Sequence, residues 1–307
     1  MIGRDPKLTV LPIDDEFHTP SSDASNWIET MWFPCWIPER NMSISVRLWF
    51  AANLKLQGGA VSAWADDGKV LFGDKWTDEM SSPIDLTNVC TSHGVNIKRQ
   101  NPLNTFQISY ESKDISLEFR FEAIMAPNPV SPEESPGMFE GHFEQAGRVV
   151  GELNLRGEKL GIDCYSVRDR SWGPRQMPDR LRLGNAYGAN SEMAFFSYIN
   201  PTPDGKEAIT GGYYKKDGQE AVIIEGERIT TWLDSSPISV SIEAVDALER
   251  KIMLTGSCRN TMASNAGSGV YGILNLIEWN DGKQKLWGEN HDIWSESQWL
   301  ESGRPKI

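Results

Sequence analysis

All-β, built as a pair of antiparallel barrels, is the fold class this sequence predicts. Three observations carry it: period-two alternation recurring along the chain, Asp-Gly turns between alternating runs, and 307 residues, a length that suits two barrels.

The alternation starts at Ile44, Val46, Leu48 and Phe50, where every second residue is apolar, as a half-buried strand requires. Ile115, Leu117, Phe119 and Phe121 repeat it. The stretch "FQISYESKDISLEFRF" sets two such runs around a polar "ESKD", which is a hairpin pattern. Residues 126–138, "APNPVSPEESPGM", carry Pro127, Pro129, Pro132 and Pro136 and read as a long surface loop, either a domain boundary or an insertion over a barrel mouth. "EKLGIDCYSV" is a further strand, stopped after "RDRSW" by Gly173 and Pro174. Ile238, Val240 and Ile242 form another run, and "KKDGQ" and "NDGKQ" place Asp-Gly where a tight turn needs φ > 0. "DALERKIML" fits a β-turn as well as a helical one, and long runs of 3.6-residue periodicity are absent. With this many strands, closed or nearly closed barrels remove exposed edges.

Bulk properties remove several functions. A net charge of −13 and the lack of clustered Lys and Arg argue against binding nucleic acid or anionic membranes. No apolar run reaches signal-peptide or membrane-span length, which predicts a cytoplasmic protein. Cys35, Cys90, Cys164 and Cys258 are scattered and read as reduced thiols, mostly buried, and His18, His93, His142 and His291 lie too far apart for a local metal motif. Walker, dinucleotide-binding and nucleophile-elbow motifs are missing. No cofactor and no metal are therefore expected.

Twelve tryptophans are a heavy load for this length. Packing explains many of them. The density of "WIETMWFPCW" (Trp27, Trp32, Trp36) and "WGENHDIWSESQW" (Trp287, Trp294, Trp299) points further, to an aromatic-lined cavity for an apolar, unsaturated ligand.

Three clusters can carry chemistry. In "RDRSWGPR", strand alternation puts Tyr165, Val167, Asp169 and Ser171 on one face and Arg168, Arg170 and Trp172 on the other. Asp169 is then an acid or base facing a cavity, or the whole motif is a charged clasp in which Arg168, Arg170 and Arg175 pair with carboxylates. "GHFEQAGRVVGEL" sets His142 and Glu144 on one strand face as a proton-transfer couple, or as a polar pair that only stabilises the sheet. "GENHDIW" offers Glu289, His291 and Asp292 between Trp287 and Trp294, with a solvated strand end as the plainer reading. The acidic "DDEFH" at residues 14–18 reads as a solvated N-terminal arm.

In order along nearly the whole chain, "DDEFH", "WIETMWF", "HFEQAGRVVGEL", "YSVRDRSWGPR" and "WGENHDIW" resemble the tandem-lipocalin superfamily of carotenoid 1,2-hydratase and kievitone-hydratase-like proteins. The likeness is to bacterial members whose central motif is R-D-H-S-W-G-x-R, with Arg170 here in place of the motif's histidine. The resemblance implies two consecutive lipocalin-like barrels, residues 1–175 and 176–307. It also implies cofactor-independent addition or removal of water, or isomerisation or cyclisation, on a small lipophilic molecule such as a terpenoid, steroid-like or polyketide compound. The alternative is a carrier that sequesters such a molecule unchanged. Protonating an alkene needs a carboxylic acid kept neutral by burial. On the motif match Asp169 is the first choice, although the neighbouring arginines act to lower its pKa, followed by Glu144 with His142, then Tyr187 and Asp292. Trp32, Trp172, Trp287, Trp294 and Tyr165 are the expected ligand-contacting residues.

Overall fold

The alternating runs form strands in two compact units, described by a computed structural model that covers the chain except residues 6, 66–67, 81–83, 132–133, 135–138, 177–178, 203 and 266–268. Unit one is residues 6–63 and 71–176. Unit two is residues 1–5, 64–70 and 177–307. Pro132 and Pro136 of the proline-rich stretch lie outside the described residues.

The N-terminal unit holds an eleven-stranded sheet. Its strands are β1 (Glu29–Ile37), β2 (Met42–Ala51), β3 (Leu56–Ala65), β4 (Lys69–Glu79), β5 (Asn88–Cys90), β6 (Val95–Asn101), β7 (Thr105–Glu111), β8 (Ile115–Ala123), β9 (Asn128–Pro129), β10 (Gly141–Leu155) and β11 (Glu158–Trp172). They run in the order β4-β3-β2-β1-β11-β10-β8-β7-β6-β5, with β9 paired to β10. The ladder is open between β4 and β5, and side chains bridge the gap. Tyr110 of β7 donates its hydroxyl to Asp74 of β4 at 2.9 Å, His93 lies 3.1 Å from Asp78, and the His93 ring stacks on Trp76. The unit is thus a nearly closed barrel. Its interior is the apolar face that alternation marked: Ile44, Val46, Leu48, Phe106, Phe119 and Phe121 are buried, and Phe33 packs on Phe106 and Phe121. Each such side chain contributes roughly 1.5–3 kcal/mol. The β1–β11 ladder spans Thr30–Trp32; beyond it Pro34 has no N–H to give, and the Ser166 hydroxyl donates to its carbonyl instead.

The C-terminal unit is a closed barrel of β12 (Arg182–Ala189), β13 (Met193–Pro201), β14 (Glu207–Lys216), β15 (Gln219–Leu233), β16 (Ser236–Asp246), β17 (Lys251–Asn265), β18 (Val270–Asn280) and β19 (Lys285–Ser295), each strand antiparallel to the next. Asp217 and Gly218 take positive φ and make the predicted tight turn, whereas "NDGKQ" opens into a longer loop in which Asp281 accepts the N–H groups of Lys283 and Gln284. In "DALERKIML" residues 247–250 are the turn between β16 and β17, held by Asp246 accepting from Leu248 and Arg250, and the last four residues begin β17. One alternating residue departs from expectation: Ile238 is exposed, because Thr231 pairs with Ser239 and Trp232 with Pro237, and the bulge skips the residue between. A short helix, α1 (Glu296–Glu301), follows β19. Among the described residues, no helix is long and apolar enough to cross a membrane.

Candidate acid–base site

Register across β2, β1, β11 and β10 composes the site. Arg47 lies opposite Trp32, Trp32 opposite Asp169, and Asp169 opposite Glu144; in the next row Thr30 lies opposite Ser171 and Ser171 opposite His142. Directly opposed residues share a face, so these side chains form one group. Met31, Arg170 and Phe143 occupy the opposite face, toward the apolar interior. The alternation inferred for "YSVRDRSW" therefore holds, but the face bearing Asp169 points away from the barrel core.

Within the group, one imidazole serves two carboxylates. His142 Nε2 is 2.9 Å from Glu144 Oε1 and 2.9 Å from Asp169 Oδ2. The Asp169 side chain is 18% exposed, against 6% for His142 and 4% for Glu144, so Asp169 is the more open end. Glu144 Oε2 is buried and accepts no hydrogen bond among the described residues.

The two acids are driven apart. Burial, and next the Asp169 charge, push the Glu144 carboxyl up to about 8. Burial also acts to raise Asp169, but the charges of His142, Arg47 and Arg175 outweigh it and hold this carboxyl below its usual value. Burial acts to lower His142, yet the Asp169 charge and the hydrogen bonds to both carboxylates raise it to about 9. Asp169 thus stays ionised and Glu144 is the group that holds a proton near neutrality, the reverse of the first choice made from the motif. The cations that lower Asp169 are His142, Arg47 and Arg175, whereas Arg168 and Arg170 lie on the other face of the strand.

Arg175 closes the rim. Its guanidinium sits 4.3 Å from the Phe139 ring and donates to Ser171 Oγ at 2.9 Å, while Phe139 lies 4.4 Å from the His142 ring. Arg47 and Phe139 escaped sequence reasoning because they come from other strands and loops, with no local signal.

On the interior face, Arg168 and Arg170 form the clasp. Arg168 pairs with Asp15 at 2.7 Å, donates Nε–H to Gln145 at 2.7 Å and lies over the Phe106 and Phe143 rings. Arg170 binds Glu29 at 2.5 Å and the carbonyls of Thr30 and Glu16. His18 Nδ1 lies 2.9 Å from Glu29 Oε1, which accepts its hydrogen bond, and the His18 ring stacks on Trp172 at 3.8 Å. The acidic arm is therefore not solvated throughout: Asp15 is buried, because it pairs with the buried Arg168 guanidinium. A carboxylate such as Glu29 inside a run of buried strand residues was the available signal for a partner.

The remaining candidates do not join this group. Tyr165 is half-buried on the Asp169 face, nearer the far end of β11. In the C-terminal barrel Tyr187 donates to Glu289 at 2.5 Å, whereas Asp292 lies on the inward face, bound by Arg228 at 2.5 Å and Asn290 at 3.0 Å. Trp294 packs edge-on against Trp232 and Trp299 with Arg304 over them, and Trp27 and Trp36 are fully buried, so these tryptophans are packing. Trp287 is half-buried. Trp32, half-buried in the site row, and Trp172, half-buried on His18, keep accessible edges. A cavity of about 410 Å³ lined by Glu16, Phe17, Met80 and residues 84–87 contains none of the expected site residues. Burial and Asp292 raise the Cys258 thiol to about 12, which leaves it a poor nucleophile. One atom each of His142, Glu144 and Asp169 lies within 4.8 Å of the others, close enough to hold a cation.

Comparison with known proteins gives a family and a fold. A family model described as a domain of unknown function, DUF7064, matches residues 11–288. No curated protein sequence matches the chain. Three solved structures share its fold over 96% of its length. A Nitrosomonas europaea protein described as a candidate AttH is 14% identical with a TM-score of 0.68, covering 99% of that chain. Kievitone hydratase from Nectria haematococca is 12% identical with a TM-score of 0.56, covering 95% of its chain. CghA, solved with Sch210972, is 12% identical with a TM-score of 0.59, covering 97% of its chain. At such identities the likeness is one of fold.

Proposed function

The chain belongs to the DUF7064 family, and from that premise we propose a cofactor-independent lyase, a hydratase or dehydratase, or an isomerase, acting by acid–base catalysis on an unsaturated lipophilic molecule of terpenoid, steroid-like or polyketide type. One observation carries the reading: two carboxylates share one imidazole, and their surroundings push their pKa values apart, the usual mark of an acid and a base with separate tasks. The fold shared with an enzyme named as a hydratase agrees with it.

In this mechanism the proton on Glu144 Oε2, the oxygen without a partner among the described residues, passes to an alkene carbon or a hydroxyl. The resulting electron-poor carbon is stabilised by the face of Trp32 and the Asp169 charge in the same row. Asp169 then accepts a proton from an incoming water, for hydration, or from the carbon skeleton, for elimination or isomerisation. His142 links the two carboxylates and returns the proton to Glu144.

The test is incubation of the purified protein with isoprenoid, steroid and polyketide alcohols and alkenes in H₂¹⁸O without added cofactor, followed by mass spectrometry. Label entering a product, loss of water, or a rearranged isomer supports the reading. Tight retention of an unchanged compound overturns it in favour of a carrier.

A pH profile adds a sign. Activity requires protonated Glu144 and ionised Asp169, so the rate is expected to be level from about pH 5 and to fall as pH rises through about 8, with no acid limb near neutrality. A rate that increases across pH 7–9 contradicts the assignment.

A further inference from the structure

The C-terminal barrel repeats the local design on its own outward face. Ala186, Phe195 and Leu286 belong to its apolar core, so the alternating neighbours Tyr187, Phe196 and Glu289 point outward, as does His291 two residues along β19. Outward residues of a barrel are ordinarily solvated. Here Tyr187 and Glu289 are fully buried, and Phe196 and His291 nearly so. Glu289 Oε2 accepts the Tyr187 hydroxyl at 2.5 Å and meets His291 Nε2 at 2.9 Å, while Glu289 Oε1 is buried with no partner among the described residues. A buried carboxylate oxygen left unmatched costs roughly 1–3 kcal/mol. The His142–Glu144 pair has the same i, i+2 spacing, the same 2.9 Å bond and the same single open oxygen.

Around this oxygen the chemistry is aromatic. The Tyr187 and Phe196 rings are parallel at 5.4 Å, and Phe196 continues to Tyr198 at 4.8 Å and Tyr213 at 6.1 Å. We infer that Tyr187, Glu289 and His291 form a second ligand site, which takes a flat unsaturated molecule bearing a hydroxyl: the rings hold its plane and Glu289 Oε1 accepts its O–H. Tyr187 and His291 are positioning residues that fix the carboxylate through Oε2. Tyr187, Glu289 and His291 carry this role whether or not His142, Glu144 and Asp169 do acid–base chemistry.

The test uses 2-naphthol and 2-methoxynaphthalene, equally flat but with and without the donor, bound to the full-length protein and followed by fluorescence. Wild type is expected to bind 2-naphthol at least about fivefold more tightly, the usual yield of one hydrogen bond to a buried acceptor that is otherwise unmatched. Glu289→Gln, close in shape, is expected to abolish that preference while retaining 2-methoxynaphthalene binding. Wild type alone supplies a second readout. Excited 2-naphthol is a strong acid that also loses its proton slowly to water, so with protein in excess a naphtholate emission that rises faster than that of 2-naphthol in buffer reports direct transfer to Oε1; this readout serves even if the variant does not fold. Equal affinities, no binding, a preference that survives Glu289→Gln in folded protein, or naphtholate emission that rises no faster than in buffer would each overturn the inference. Turnover plays no part in these measurements, so failure of the hydratase reading leaves them untouched.

Discussion

A Glu144→Gln protein is expected to fold normally, keep its affinity for substrate and lose turnover by about 10²–10⁴-fold, the span a positioned acid contributes. The amide is a close copy of the form that Glu144 holds near neutrality, since burial and the Asp169 charge raise its pKa to about 8. It can still meet His142 Nε2 through its carbonyl oxygen, and it adds no charge to a buried position. What it cannot do is release a proton. Unchanged turnover in folded Glu144→Gln protein would remove Glu144 as the acid. Asp169→Asn provides the contrast. It deletes the anion that the charges of His142, Arg47 and Arg175 act on most directly, so stability should fall together with rate, and His142 should titrate lower than about 9 because the charge that chiefly raised it is gone. Measuring urea midpoints beside kcat separates the two roles: loss of rate alone for Glu144→Gln, loss of both for Asp169→Asn.

Much of this site was legible because a strand's period of two leaves no freedom. His142 with Glu144, and Asp169 against Arg168 and Arg170, sorted onto faces from spacing alone. The hairpins and the pair of barrels followed from the same alternation and from Asp-Gly turns. What spacing cannot carry is the partner across the sheet. Arg47 reaches the Asp169 row only through the β2–β1–β11 register, and without it and Arg175 the ionised acid cannot be told from the neutral one. Asp15 looked solvated because its guanidinium partner lies far along the chain. The tryptophan clusters are ambiguous for another reason: a dense aromatic run looks alike whether it lines a ligand or packs on itself, as Trp232, Trp294 and Trp299 do. Nor does alternation reveal that one barrel's ladder stays open, since Tyr110, Asp74, His93 and Asp78 bridge it by side chains alone.

Arg168→Met is expected to destabilise the protein by about 3–5 kcal/mol, the cost of leaving a buried carboxylate without its counter-charge. Both members of the Arg168–Asp15 pair are essentially inaccessible to water, at 0% and 1% side-chain exposure, so Asp15 could not be rehydrated without pulling the N-terminal arm from the sheet. The methionine can occupy the slot between Phe106 and Phe143 that the guanidinium fills now, which confines the loss to charge and hydrogen bonds rather than volume. Adding Asp15→Asn should therefore recover a large part of the stability, because the stranded charge disappears with its partner; the coupling in a double-mutant cycle measures that part. The recovered double variant should also turn substrate over, since Arg168 faces the interior while His142, Glu144 and Asp169 lie on the other side of the same strands. A stable Arg168→Met protein without turnover would reverse the assignment and move Arg168 from the clasp to the chemistry.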